Sequence, residues 1–305
     1  MSSCLRGKIY SHQMNNLSKK QIFTVLVLTQ VVISATYMMA KFALREFSPF
    51  SLGVYRFLLA GAVFAGLLLW RKEFILPKKE DRKTFLLLAF LAVPLNQGLF
   101  LYGMKYTFAA HGALMYATTP IMVLLLSSLF LGERPTVLKI TGIALGFLGI
   151  ILVLFDQGIH LSTKTIKGDL LLIVAVITWA VYTIISKKLL KKYPPLVVTG
   201  YALGLGALMF VPFGLPAVIR QDYGQITRTG VLSLLYLALM TSVLGYLVWS
   251  WGLSKLEASK VSVFSNLQPI VAALLGWAFL SEPITLRFAI GAAVVIAGVF
   301  LAEKG

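Results

Sequence analysis

The chain has 305 residues, 58% of them hydrophobic and 13% charged, with a mean hydropathy of +0.86. A soluble domain is nearer half apolar and a quarter charged, so a water-soluble fold is excluded and a lipid bilayer is the matching solvent. The net charge of +17 does not point to nucleic acid, because the basic residues sort by side of the membrane.

In chain order, residues 1–21 are a polar tail expected to be cytoplasmic and disordered. The single cysteine, Cys4, lies here, so no intrachain disulfide can form. The tail lacks an apolar core, which argues against a cleavable signal and makes the first helix the first anchor. Ten apolar runs follow, at 22–44, 49–70, 84–104, 107–130, 136–155, 168–187, 197–219, 230–253, 258–280 and 284–302. At about 1.5 Å per residue, each can cross a hydrocarbon core of roughly 30 Å. Backbone in lipid must satisfy its own hydrogen bonds, and the alternation of barrel strands is absent, so helices are expected. With the N-terminus inside, nineteen Lys and Arg residues fall on the inner side and seven on the outer; only Lys41 and Arg56 stay within helices. That bias predicts cytoplasmic termini. The expectation is an all-α, multi-pass protein of the plasma or inner membrane.

The ninth and tenth runs repeat the fourth and fifth. LFLGERPTVLKITG (129–142) returns as AFLSEPITLRFAIG (278–291). At a constant offset of 149, residues 118–152 align with 267–301 without a gap, with 12 identities in 35 positions, including Pro120/Pro269, Glu133/Glu282, Gly142/Gly291 and Gly149/Gly298. Upstream, Gly103/Gly252 keep that offset, and Tyr37/Tyr182 and Pro49/Pro194 fit an offset of 145. The chain therefore divides into a first repeat (22–155), an outer linker (156–167) and a second repeat (168–302). Five helices per repeat make the second enter from the opposite side, which predicts inverted repeats of the kind that alternate access around a midplane site. Glu133 and Glu282 are read as caps or staples near the start of the helix that follows each.

These features resemble the EamA family of the drug/metabolite transporter superfamily. The carriers of the resemblance are the motif P-I-x(3)-L-L-x(4)-L-x-E in both repeats, each followed by a Gly-rich final helix, with YRFLLAGAVF (55–64) and ITWAVYTIISKKL (177–189) in support. It covers about 22–302. It implies an exporter or exchanger of small metabolites, amino acids among them. It also implies a central cavity lined by helices 1, 3, 4, 6, 8 and 9, with helices 5 and 10 at the periphery.

Polar groups within spans are costly in lipid and are the default functional candidates. Trp179 and Tyr182, with Ser186, share a face of the sixth helix; Tyr37 and Lys41 stand one turn apart on the first. Asn96 and Gln97 follow Pro94, which frees a backbone carbonyl. Tyr116 and Thr119 share a face, as do Tyr246 and Trp249, and Ser262 and Asn266. Gln268 precedes Pro269, and Gln97/Tyr246 and Thr119/Gln268 are repeat mates. His111 is the one intraspan group that titrates near neutral pH. The plainer readings are Ser and Thr bonding their own helix, aromatic packing, amide glue between helices and a snorkelling Lys41. Arg56, about two turns into its helix, is read as a structural donor to backbone or lipid headgroup. Glycine spacings such as Gly142-x(3)-Gly146, Gly200-x(3)-Gly204 and Gly61-x(3)-Ala65 favour close packing or dimerisation.

All eleven acids fall at helix ends or in loops, so no midplane carboxylate is expected to hold sodium or relay protons. No Walker loop, H-E-x-x-H or G-x-S-x-G appears, and there are three histidines, so no catalytic role, cofactor or metal is expected. The expected partners are a small-molecule substrate and the lipid bilayer, with the chain as monomer or homodimer. The reading is a secondary transporter of amino acids or drug-like solutes by efflux or exchange. Sugar or nucleotide-sugar carriage is the alternative, followed by a membrane enzyme or receptor.

Overall fold

The computed structural model describes residues 18–107, 109–156, 163–280 and 286–305. Of the tail expected to be disordered (1–21), residues 1–17 with Cys4 lie outside the described residues, whereas Ser18 caps a helix that already begins at Lys19. Glu282 and linker residues 157–162 also lie outside, and the next helix begins inside the expected linker, at Thr163. Among the described residues there is no strand. The helical rods are α1 (Lys19–Ile33 and Thr36–Glu46), α2 (Pro49–Arg71), α3 (Lys79–Tyr106), α4 (Ala109–Ala117 and Thr119–Phe130) and α5 (Val137–Asp156). After them come α6 (Thr163–Leu189), α7 (Pro195–Ile219), α8 (Arg228–Lys255), α9 (Ala258–Val263 continuing through Leu267–Leu280) and α10 (Leu286–Lys304). Six of them, α1, α2, α3, α6, α7 and α8, are long and apolar enough to cross a membrane; Met115–Phe130, Val137–Gly149 and Ala289–Ala302 are shorter apolar stretches.

The interruptions follow local chemistry. Pro120 and Pro269 lack an N–H, and each sits just after a break, at Thr118 in α4 and at Phe264–Asn266 in α9. Pro94 lies inside a π-helical stretch, Leu91–Gln97, where the Gly98 N–H reaches the Val93 carbonyl. Its repeat counterpart in α8, Leu237–Gly245, is also π-helical although it holds no proline. In α1, the Ser34 and Thr36 hydroxyls donate to the Gln30 and Ile33 carbonyls at 2.5 Å each, and the helix turns between them.

The packing obeys the repeat. α2 packs on α7 and α5 on α10; α3 packs on α6 as its mate α8 packs on α1. Glycines permit the close crossings. A methyl group on Gly61 would lie 3.3 Å from the Gly204 Cα, and one on Gly142 would meet the backbone of α10. The glycine spacings through Gly61 and Gly142 thus serve packing within the chain. Large apolar side chains such as Leu69, Trp70, Leu129, Leu208 and Phe213 point outward, as a lipid-facing belt requires.

Candidate functional site

Five of the interrupted rods converge on one cavity of about 80 Å3. That is room for several waters, since roughly 10–15 Å3 of such space holds one. Its walls come from α1 (Gln30, Ile33, Thr36, Tyr37), α2 (Arg56), α3 (Gln97, Phe100), α4 (Tyr116, Thr119), α6 (Trp179), α8 (Thr241, Gly245, Tyr246, Trp249) and α9 (Ser265, Gln268). Irregular backbone at membrane depth is tolerated only where it is buried in protein or lines a cavity, and π segments concentrate at functional sites. Here both conditions meet.

Two aromatic groups face each other across this space. Tyr37, Phe100 and Tyr116 meet edge to face, with centroids 5.6–6.1 Å apart. Trp179 stands in the second group, 5.1 Å from Tyr246 and 5.3 Å from Trp249. Between them runs a polar seam. The Tyr37 hydroxyl donates to Gln268 Oε1 at 2.8 Å, and Gln268 Nε2 donates to Gln30 Oε1 at 2.6 Å, tying α9 to α1. On the far side, Asn96 Nδ2 donates to the Ala175 carbonyl at 2.6 Å, which turns its oxygen toward Gln97 Nε2, also at 2.6 Å. Gln97 Oε1 is left without a partner, as are Thr119 Oγ1, Trp249 Nε1 and Arg56 Nη1, all on buried residues of the wall.

Of the residues singled out by sequence, Tyr37, Gln97, Tyr116, Thr119, Trp179, Tyr246, Trp249 and Gln268 line the cavity. Asn96 and Tyr182 stand one layer behind. Asn96 is occupied by the α6 backbone, and Tyr182 stacks on the outer face of Trp179 at 5.0 Å. Asn266 turns away because its side-chain amide packs on α5 at Gly146, where an added methyl would lie 2.5 Å from Nδ2. Lys41 is half-buried and outside the wall. The side chain of His111 lies outside the described residues. The reading of Arg56 needs correction. The residue is a donor as read, but to a side chain: it is 1% exposed, donates from Nε to Ser242 Oγ at 2.8 Å and rests 4.8 Å from the Phe57 ring, which places it out of reach of a lipid headgroup. Gln30 was missed because it sits in an otherwise apolar run with no partner in sequence.

One end of the bundle is closed by a charged network that joins the repeats. Glu133 does not cap α5, whose Lys139 N–H donates to Thr136 Oγ1 at 3.2 Å. It reaches instead to the start of α9, accepting from the Ala258 N–H at 2.6 Å, the Ser259 N–H at 3.1 Å and the Ser259 hydroxyl at 2.7 Å. Lys139 pairs with Glu257, and Lys187 donates to the Leu253 and Leu256 carbonyls where α8 ends. Burial alone would raise the Glu133 carboxyl, but the Ser259 hydroxyl and the two amides outweigh it and hold it below the ordinary value. A depressed acid stabilises above its unfolded pKa of about 4.3 and loses that effect as pH falls through its folded value. Glu133→Gln is therefore expected to lower the thermal midpoint in detergent by ~2–4 °C at pH 7. The gap to wild type should shrink toward pH 4; a gap that is constant with pH would refute the charged cap.

The family model described as EamA-like transporter family matches residues 21–155 and 166–303. A transporter from Archaeoglobus fulgidus whose role is uncharacterised is 32% identical over 278 residues, covering 91% of this chain and 95% of its own. A protein of Salmonella typhimurium named a probable amino-acid metabolite efflux pump is 26% identical, covering 93% of this chain and 95% of its own. A protein of known crystal structure, 19% identical, superposes with a TM-score of 0.76 over 94% of this chain and 98% of its own, which shows a shared fold.

Proposed function

We propose that this chain, which belongs to the EamA-like transporter family, is a ten-span secondary transporter of small organic metabolites. Amino acids or drug-like solutes leave the cell, or exchange across the plasma membrane, by alternating access. The two five-helix repeats lie inverted in the membrane with both termini cytoplasmic. The observation that carries the reading is the aromatic and polar cavity at the meeting of broken helices from both repeats. A site shared by both repeats fits a carrier that opens it toward one side at a time. The Glu133 network closes the end that the Lys and Arg bias assigns to the cytoplasm. By the 149-residue offset, Glu282 and the start of α4 would make the matching closure on the outer side in the opposite state.

The name of the Salmonella relative favours amino acids as the first solutes to try. Proteoliposomes carrying the purified chain should show saturable counterflow of labelled amino acids, unaffected by a pH gradient if no proton is coupled. Cysteine placed at Thr119 should be labelled from one side, and solute should change the rate. A labelling pattern that no transported solute alters would count against alternating access.

A further inference from the structure

Resting on the carrier reading, we propose that Arg56 receives the carboxylate of the transported solute, which makes small carboxylic acids, zwitterionic amino acids foremost, the substrate class of this cavity. The argument is one of unmet bonds. Arg56 is fully buried on α2 and lines the cavity; its Nε donates to Ser242 Oγ, and Nη1 has no partner among the described residues. A guanidinium can only donate, and Trp249 Nε1, also buried on the wall and also unpaired, can only donate. Among the described residues no carboxylate lines the cavity. Intramembrane cations are costly and pair with one another's opposites, and a bidentate carboxylate is the ligand that a guanidinium fits best.

The rest of the wall suits the other half of a zwitterion. Gln97 Oε1 is an unpaired acceptor whose orientation is fixed, through Asn96, by the Ala175 carbonyl. The Trp179, Tyr246 and Trp249 rings offer faces to an ammonium. Donors that lack acceptors and an acceptor that lacks a donor thus belong to residues of one cavity wall. A solute with both groups satisfies both, whereas an uncharged solute leaves the Arg56 charge unanswered.

The test compares acids with their amides in counterflow. Proteoliposomes of the full chain are loaded with unlabelled L-leucine, L-threonine or L-phenylalanine, and entry of the labelled acid is competed with each acid and with the corresponding amide. The acid is expected to compete better than its amide by about tenfold or more, as loss of a charge-assisted bond implies. Arg56→Gln should bring the ratio to within about twofold and act on KM, while Arg56→Lys keeps the acid preferred. The wild-type comparison stands even where a variant fails to fold. Acid and amide competing equally, with counterflow intact, would overturn the role of Arg56 and leave the carrier reading standing. An Arg56→Gln protein that transports with the wild-type acid preference would do the same. No saturable counterflow of any of these solutes would overturn the amino-acid carrier reading, and this assignment with it.

Discussion

Trp179→Ala is expected to reduce saturable counterflow by about tenfold or more per folded molecule, while Trp179→Phe keeps most of the activity. The indole is the common wall of the site. It stacks on Tyr182 at 17° and meets Tyr246 and Trp249 within 5.3 Å, and it packs against two of the three core clusters of the protein. Each aromatic contact contributes about 0.5–1.5 kcal/mol beyond burial, so three together reach the 1.4 kcal/mol that equals a factor of ten. Without the ring, Tyr182 and Tyr246 lose the surface that holds them, and the face offered to solute is lost as well. Stability will fall too, because truncating a large aromatic in a core opens a void. Counterflow is therefore read against the amount of folded protein in the vesicles. Phenylalanine restores a ring but no N–H, so its partial rescue separates the stacking surface from the donor. Wild-type transport by Trp179→Ala would remove α6 from the solute pathway.

The framework of the site is legible in sequence where a covalent feature forces it. Pro94, Pro120 and Pro269 mark three of the irregular stretches through the N–H each lacks, although Pro212 and Pro216 lie within α7 without interrupting it. The π segment of α8 has no such mark. Val243 stands where Pro94 would be, and the segment packs against α1 and α2. Polar residues flanking those marks, such as Gln97, Thr119 and Gln268, are found on the cavity wall. Arg56 was misjudged for a physical reason. Position along a helix gives depth, but whether a side chain meets lipid or protein depends on which neighbour covers it, and here α8 does, through Ser242. The partner of Glu133 lies 125 residues away in the other repeat, a distance that no local rule of helix capping spans. Asn96 and Gln97 are adjacent in sequence, so they point about 100° apart around the helix, one to α6 and the other to the cavity, and sequence alone does not say which.

Gly142→Ala is expected to lower stability sharply, although alanine is the better helix former. A methyl group there would lie 2.5 Å from the Ala302 nitrogen and 2.6 Å from the Gly298 carbonyl oxygen, both backbone atoms that no side-chain rotation can move. Opposite it, a methyl on Gly298 would meet the Gly142 carbonyl at 2.6 Å, and one on Gly149 would meet the Gly291 carbonyl at 2.6 Å. α5 and α10 therefore touch backbone to backbone along much of their length, in the small-residue manner by which helices associate without a hydrophobic driving force. Pushing them apart forfeits contacts along the whole crossing and costs about 1–3 kcal/mol or more. Gly66 supplies the control, since nothing lies within 4 Å of the position its methyl would take. Gly66→Ala should be neutral, or stabilising by up to about 1 kcal/mol from helix propensity. Thermal midpoints of the two variants in the same detergent decide the matter. Because neither α5 nor α10 contributes to the cavity wall, the Gly142→Ala protein that does fold should keep the wild-type preference among solutes while its midpoint falls. Equal midpoints for the two variants would mean that the α5–α10 crossing is looser than described. A changed solute preference would mean instead that this crossing shapes the cavity from a distance, through the Asn266 amide wedged against Gly146.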